Sequence, residues 1–168
     1  MDRRRFLKSA AGGTVVLAYL PALGVPPEKS VAPACKFFTV AQAATVGSVV
    51  QQIVPPDEYP GAKDSGVVFY IDGILSGRFG HFYRERYEQG LKLLDGASHK
   101  QFVHDFSSLE DTQQIAILRA LESGQAGGVE GRKFFALIRQ HTMESYYGDP
   151  EHGGNREGAS WEMIGFEG

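Results

Sequence analysis

The chain has 168 residues, of which 42% are hydrophobic and 22% charged, values that fit one ordinary globular domain preceded by a leader segment. Its net charge of −3 argues against nucleic-acid binding, which needs clustered Lys and Arg to displace counterions. The single cysteine, Cys35, excludes an intramolecular disulfide, and there is no CxxCH motif. The chain therefore carries neither an attached c-type haem nor the four thiolates that an iron–sulfur cluster usually needs.

The N-terminus has the form of an export signal. A basic start, MDRRRFLKS, precedes an apolar stretch over residues 10–23 that is too short to cross a bilayer comfortably. The basic part resembles the twin-arginine export motif, with Asp2 in place of the usual Ser or Thr. The residues that match the motif are Arg3, Arg4, Phe6 and Leu7. The other interpretation is a basic N-terminal arm before a buried helix.

The signal segment is expected to cover residues 1–34, because Ala32-Pro33-Ala34 fits an A-x-A cleavage site. Cleavage near residues 22–24, or retention of the leader, fits the sequence equally well. The twin-arginine route carries proteins that are already folded, typically after a cofactor has been inserted. Because this chain shows no cofactor motif, the signal indicates that it takes a folded, cofactor-loaded partner with it to the periplasm.

Residues 35–146 show the periodicity of short helices, and no stretch alternates with period two for long enough to form a sheet. Thr39 and Gln42 have the spacing of a capping box, and apolar residues at helical spacing follow until Pro55-Pro56. Further helical patterns follow Ser65 and include Tyr83, and a helix over about residues 131–146 ends the domain. We therefore predict an all-α single domain of five to six short helices.

The middle of the domain is expected to contain two separate elements. After Gly96 the pattern favours a short amphipathic piece of its own. The next helix is expected to have Ser108 as its cap and to end at Ser123-Gly124. Its predicted core face is Ile115, Leu118 and Leu121.

The final segment, residues 147–168, has no periodicity, and its aromatic residues have no predicted helix to hold them. Aromatic side chains lose little entropy on ordering and dominate interface energetics. We expect an extended C-terminal tail that lies in a groove, either of its own domain or of a partner. The predicted interface residues, including the end of the preceding helix, are Tyr146, Tyr147, Asp149, Pro150, Gly153, Gly154, Asn155, Arg156, Trp161, Ile164 and Phe166.

No pattern in the sequence predicts a catalytic, cofactor-binding or metal site in this chain. The five histidines form neither HxxxH nor HxH, and no G-x-S-x-G occurs. The glycine-rich run at residues 153–158 follows no strand and opens no periodic helix, which argues against a dinucleotide site. The sequence thus favours an accessory role over an enzymatic one.

Several of these segments together resemble the gluconate 2-dehydrogenase subunit 3 family. The resemblance covers roughly residues 37–168, and its specific part is the C-terminal pattern DP-x-x-GGN-R followed by W-x-x-I-G-F. The weaker matches lie in the helical region. They are Phe38-Thr39 with Gln42, the break at residues 53–57, Pro60-Gly61-Ala62 and Asp72.

The resemblance implies the small gamma subunit of a periplasmic, membrane-associated dehydrogenase. In such complexes a large subunit, similar to the glucose–methanol–choline oxidoreductases, holds FAD and oxidises a sugar, a glycoside or a sugar acid. A multihaem cytochrome c subunit often passes the electrons on, and the small subunit bears the signal for the twin-arginine translocase. A stand-alone periplasmic binding module, with a ligand pocket lined by tyrosines and phenylalanines, is the alternative.

Overall fold

The computed structural model describes residues 34–167, so the predicted export residues Arg3, Arg4, Phe6 and Leu7 lie outside the described residues. The predicted all-α class is confirmed, since the described chain contains helices and no strand. Its six α-helices are α1 (Val40–Ile53), α2 (Val67–Ser76), α3 (Arg84–Phe102), α4 (Asp111–Ser123), α5 (Gly128–Tyr147) and α6 (Ala159–Ile164). Short 3₁₀ turns connect several of them.

The start of α1 is the capping box that the sequence predicts. The Thr39 hydroxyl accepts a hydrogen bond from the Gln42 backbone N–H at 3.2 Å, and the Gln42 side chain accepts one from the Thr39 N–H at 3.0 Å. Two N–H groups that the first helical turn leaves unpaired are thereby satisfied. The helix ends at Ile53, just before Pro55-Pro56, because proline disfavours helical conformation in the residue before it.

Helix α5 is the centre of the domain and packs against α1, α2, α3 and α4. At its middle, Phe134 meets the buried Tyr87 of α3 edge to face, with ring centroids 5.7 Å apart. The Tyr87 hydroxyl lies 3.0 Å from Nδ1 of His141, and both side chains are almost fully buried. Burial lowers the pKa of His141 and raises the pKa of Tyr87, so both side chains are held in their neutral forms and share one hydrogen bond.

The middle of the domain differs from the sequence-based expectation in two places. Helix α3 runs without a break through Gly96 to Phe102, so the prediction of a separate amphipathic segment after Gly96 is wrong. Helix α4 is capped by Glu110 with Gln113, not by Ser108. The spacing of apolar residues does not predict three-residue 3₁₀ turns such as the one at Phe106–Ser108.

The predicted core face of α4 is confirmed at Leu118 and Leu121, which are buried, and is wrong at Ile115. Ile115 is 37% exposed, whereas Ile117 is 1% exposed and lies in the core. The buried face begins at Gln114, whose amide nitrogen lies within hydrogen-bond distance of the carbonyls of Phe106 and Leu109. A polar residue takes the core position because both of those carbonyls need a donor, and hydrophobic spacing alone cannot identify it.

Two glycines of α3 give a matched test of this packing. A Cβ added to Gly90 would overlap the ring of Phe134, whereas one added to Gly96 meets no atom within 4 Å. We expect Gly90→Ala to lower the free energy of unfolding by about 1–3 kcal/mol, as overpacking does. Gly96→Ala is expected to raise the free energy of unfolding by about 0.5–1 kcal/mol, because alanine favours helix over glycine. Urea unfolding of both variants measures the two effects. Equal changes in the free energy of unfolding would contradict the packing of α3 on α5.

Candidate partner-binding surface at the C-terminus

The chain after α5 is more regular than the extended tail that the sequence predicts. It turns back on the domain through 3₁₀ turns at Pro150–His152 and Arg156–Gly158 and then forms α6. The Asp149 carboxylate caps the first turn by accepting a hydrogen bond from the Glu151 N–H at 2.9 Å. Gly153, with φ of 90°, closes the turn in the left-handed conformation that glycine adopts without strain.

Asn155 holds the returning segment to the end of α5. It is fully buried and has a left-handed backbone, with φ of 46°. Its side-chain nitrogen donates to the Gly148 carbonyl, and its side-chain oxygen accepts from the Ser160 N–H, both at 2.9 Å. One side chain therefore links Gly148, the first residue after α5, to the first turn of α6.

Arg156 attaches the same segment to the start of α2. Its backbone N–H donates to the Ser65 carbonyl at 3.1 Å, and its guanidinium lies 5.0 Å from the centre of the Phe69 ring. Gly66, which adopts φ of 88°, leaves room for this arginine, because a Cβ there would lie 2.8 Å from Nε. The inner side of the segment is thus fixed to two helices of its own domain.

The outer side of the segment presents large apolar side chains to solvent. We name Tyr147, Trp161, Ile164 and Phe166 the C-terminal patch. The Trp161 indole N–H donates to the Tyr147 carbonyl at 3.1 Å, and its ring meets Phe166 edge to face at 5.0 Å. Ile164 and Phe166 are more than half exposed, Tyr147 is 39% exposed, and Trp161 is half-buried. Exposed aromatic groups held in fixed positions are typical of protein contact surfaces.

The other predicted interface residues divide between the two sides of the segment. Tyr146 is buried, and its hydroxyl donates to the Pro60 carbonyl at 2.9 Å. Gly154 is also buried, and it packs so closely on Ser145 that a side chain at this position would overlap it. These two residues and Asn155 hold the segment in place and expose no contact surface. Asp149, Gly153 and Arg156 are exposed beside the patch, and Pro150 is half-buried.

A second exposed aromatic pair was missed by the sequence analysis. Phe79 and Phe82, each 66% exposed, lie in the turn between α2 and α3. The Arg78 guanidinium lies 5.8 Å from the centre of the Phe79 ring. The available signal was the pair of glycines, Gly77 and Gly80, on either side of Phe79, which favours a turn over a continuous helix.

The titratable side chains of residues 34–167 form no cluster of three or more His, Cys, Asp or Glu that could hold a metal ion. His141 is occupied by Tyr87, and His99 lies 3.3 Å from Asp105 at the surface. Within the same residues no helix is both long and apolar enough to cross a bilayer. The described residues thus define a class of protein, a small all-α domain with large apolar side chains exposed at its C-terminal segment and at the turn between α2 and α3.

The family model described as gluconate 2-dehydrogenase subunit 3 matches residues 40–168. The chain belongs to this family, whose description names one subunit of a dehydrogenase complex, and the resemblance seen in the sequence is confirmed. No curated protein and no solved structure matches the chain.

Proposed function

We propose that this chain is the non-catalytic small subunit of a periplasmic dehydrogenase whose FAD lies in a separate, glucose–methanol–choline-like catalytic subunit. The complex would oxidise a sugar, a glycoside or a sugar acid. The observation that carries the proposal is the family match over residues 40–168, which includes almost the whole described domain.

The C-terminal patch is the surface proposed to bind the catalytic subunit. Tryptophan, tyrosine and other aromatic residues supply most of the binding energy at protein interfaces. Here Trp161 is already oriented by its bond to the Tyr147 carbonyl and by Phe166. Preorganised side chains lose less entropy on binding, so more of the contact energy remains as affinity.

The proposed second role is export. The Arg3-Arg4 signal would direct the pre-assembled pair of subunits to the twin-arginine translocase, because the catalytic subunit must fold around FAD before it crosses the membrane. A partner that binds only the folded catalytic subunit also stabilises it by mass action. A multihaem cytochrome c subunit would accept the electrons and hold the complex at the membrane.

The contact proposal predicts a loss of affinity when the patch is truncated. We expect the double variant Trp161→Ala/Phe166→Ala to raise the Kd for the catalytic flavoprotein at least about tenfold, since truncating a central aromatic residue costs more than about 1 kcal/mol. The measurement is co-purification of the two subunits, followed by flavin absorbance and by titration of the purified pair. Val40→Ala is the control, because Val40 is 91% exposed on α1 and lies outside the patch.

Two results would count against the proposal. If the double variant retains the flavoprotein as well as the control does, the patch is not the contact surface. If the unaltered chain purifies as a stable monomer with no flavin-containing partner, the stand-alone binding module becomes the better interpretation.

A further inference from the structure

A groove runs between α3 and α4 at the far end of the domain from the C-terminal patch. It has a volume of about 600 Å³, and residues of the turn that joins α4 to α5 also line it. We name it the α3–α4 groove and define it by Lys92, Gly96, Lys100, Ala120 and Gly127. None of these residues belongs to the surface proposed above.

The floor of the groove is made of small residues, which allow another chain to approach the helix backbones closely. Gly96 has no atom within 4 Å of the position that a Cβ would occupy. Ala97 and Ala120 end at their Cβ atoms, and the half-buried Leu93 adds apolar surface. A floor of this kind suits the apolar side of an amphipathic helix.

The rim of the groove is positively charged although the domain is acidic. Lys92 and Lys100 are exposed, and among the described residues neither forms an ion pair. No Asp or Glu lines the groove, whereas residues 34–167 contain 12 basic and 18 acidic side chains. The two lysines are eight positions apart on one helix, which separates them by about 12 Å along its axis.

We propose that the α3–α4 groove binds an acidic amphipathic helix of the catalytic subunit. The helix would place two carboxylates about two turns apart, opposite Lys92 and Lys100, and its apolar side on Gly96 and Ala120. Complementary charge at a rim fixes register and partner choice.

This inference rests on the proposed function and extends it to a second point of contact. Helix α5 has 20 residues and connects the two surfaces, since the turn before its first residue lines the groove and its last residue, Tyr147, belongs to the C-terminal patch. A helix of that length spans about 30 Å. A catalytic subunit that covers both ends of α5 gains affinity because the second contact forms within one complex.

A blocking substitution tests the groove without disturbing the fold. Gly96→Trp fills the groove, and Gly73→Trp is its matched control, since Gly73 is also a helical, exposed glycine with no atom within 4 Å of its Cβ position. With the purified catalytic flavoprotein as the probe, we expect Gly96→Trp to raise the Kd at least tenfold. Gly73→Trp is expected to bind like the unaltered chain.

Charge reversal tests the rim. Lys92→Glu/Lys100→Glu is expected to weaken binding of the flavoprotein at low ionic strength. The difference in affinity from the unaltered chain should shrink as added salt screens the repulsion between the new glutamates and the acidic helix. The control is Lys63→Glu/Arg78→Glu, which makes the same change in net charge at exposed positions outside the groove. Equal weakening in both pairs would show a general charge effect and would overturn the proposed docking.

A photo-crosslinking residue placed at position 96 identifies the occupant. The expected product joins this position to an acidic helix of the flavoprotein, and a product with a second copy of this chain would overturn the proposal. If the groove variants bind normally while Trp161→Ala/Phe166→Ala does not, the groove inference fails and the proposed function stands. If the unaltered chain does not bind the flavoprotein, both fail together.

Discussion

Replacing Arg3 and Arg4 with lysine is expected to leave the dehydrogenase activity of the complex in the cytoplasm. The positive charge of the leader is unchanged by this substitution, so a loss of export would depend on the guanidinium groups. Arginine presents a planar set of donors that lysine lacks, and the two are therefore not interchangeable at a specific recognition site. Assaying the periplasmic and cytoplasmic fractions for acceptor-dependent sugar oxidation measures the effect.

The adjacent arginine provides the control for the export experiment. Arg5 occupies the variable position of the motif, and Arg5→Lys is expected to leave activity in the periplasm. Because the substitutions lie outside the described domain, the two subunits should still co-purify from the cytoplasm of the double variant. A catalytic subunit that reaches the periplasm with the Arg3→Lys/Arg4→Lys chain would refute the escort role.

Features set by neighbouring residues could be predicted from the sequence. The capping box of Thr39 and Gln42 needs only a spacing of three residues, and the structure confirms it. The buried face of α4 could not be predicted in the same way. It depends on Gln114, whose place in the core is set by carbonyl groups of a preceding turn.

The returning C-terminal segment shows the same limit more strongly. Its course depends on residues with positive φ, among them Asn155 and Gly158, and on the hydrogen bonds from Asn155 to Gly148 and from Arg156 to Ser65. A hydrophobic pattern carries no signal for either kind of constraint. The composition of the segment did indicate that Trp161 and Phe166 lie in a contact, and the family motif identified the segment. Which of its side chains face outward could be seen only in the structure.

Asp72 holds the start of the described domain, and its removal is expected to have the largest effect on stability. The carboxylate is 4% exposed and accepts hydrogen bonds from the backbone N–H groups of Lys36 at 2.7 Å and of Phe37 and Phe38 at 2.9 Å. Hydrogen bonds to a charged group contribute about 1.5–3 kcal/mol each, and donors left unpaired in a buried site add a penalty. We expect Asp72→Ala to lower the free energy of unfolding by roughly 3–5 kcal/mol, since part of the segment can reach water after the loss.

Two further substitutions separate the carboxylate from general damage to α2. Asp72→Asn keeps one acceptor oxygen, which can still accept from the N–H groups of Phe37 and Phe38 but not from that of Lys36. Its free energy of unfolding should therefore lie between those of the unaltered chain and Asp72→Ala. Asp64→Ala removes an exposed carboxylate and should change the free energy of unfolding by no more than about 0.5 kcal/mol. Urea unfolding measures the free energy of unfolding of the three variants. If Asp72→Ala lowers it no more than Asp64→Ala does, the anchoring role of Asp72 is contradicted.

The thiol of Cys35 gives an independent measure of the same anchor. Burial, and after it the charge of Asp72, raise the pKa of this thiol above its usual 9.0. Asp72→Ala removes that charge and releases the backbone of Lys36 and Phe37, so the thiol pKa should fall and Cys35 should be alkylated faster at neutral pH. Asp64→Ala is expected to leave the alkylation rate unchanged. A slower or equal rate in Asp72→Ala would mean that the segment before α1 is held in place by its apolar contacts, chiefly those of Phe38 with Tyr87, and not by the carboxylate.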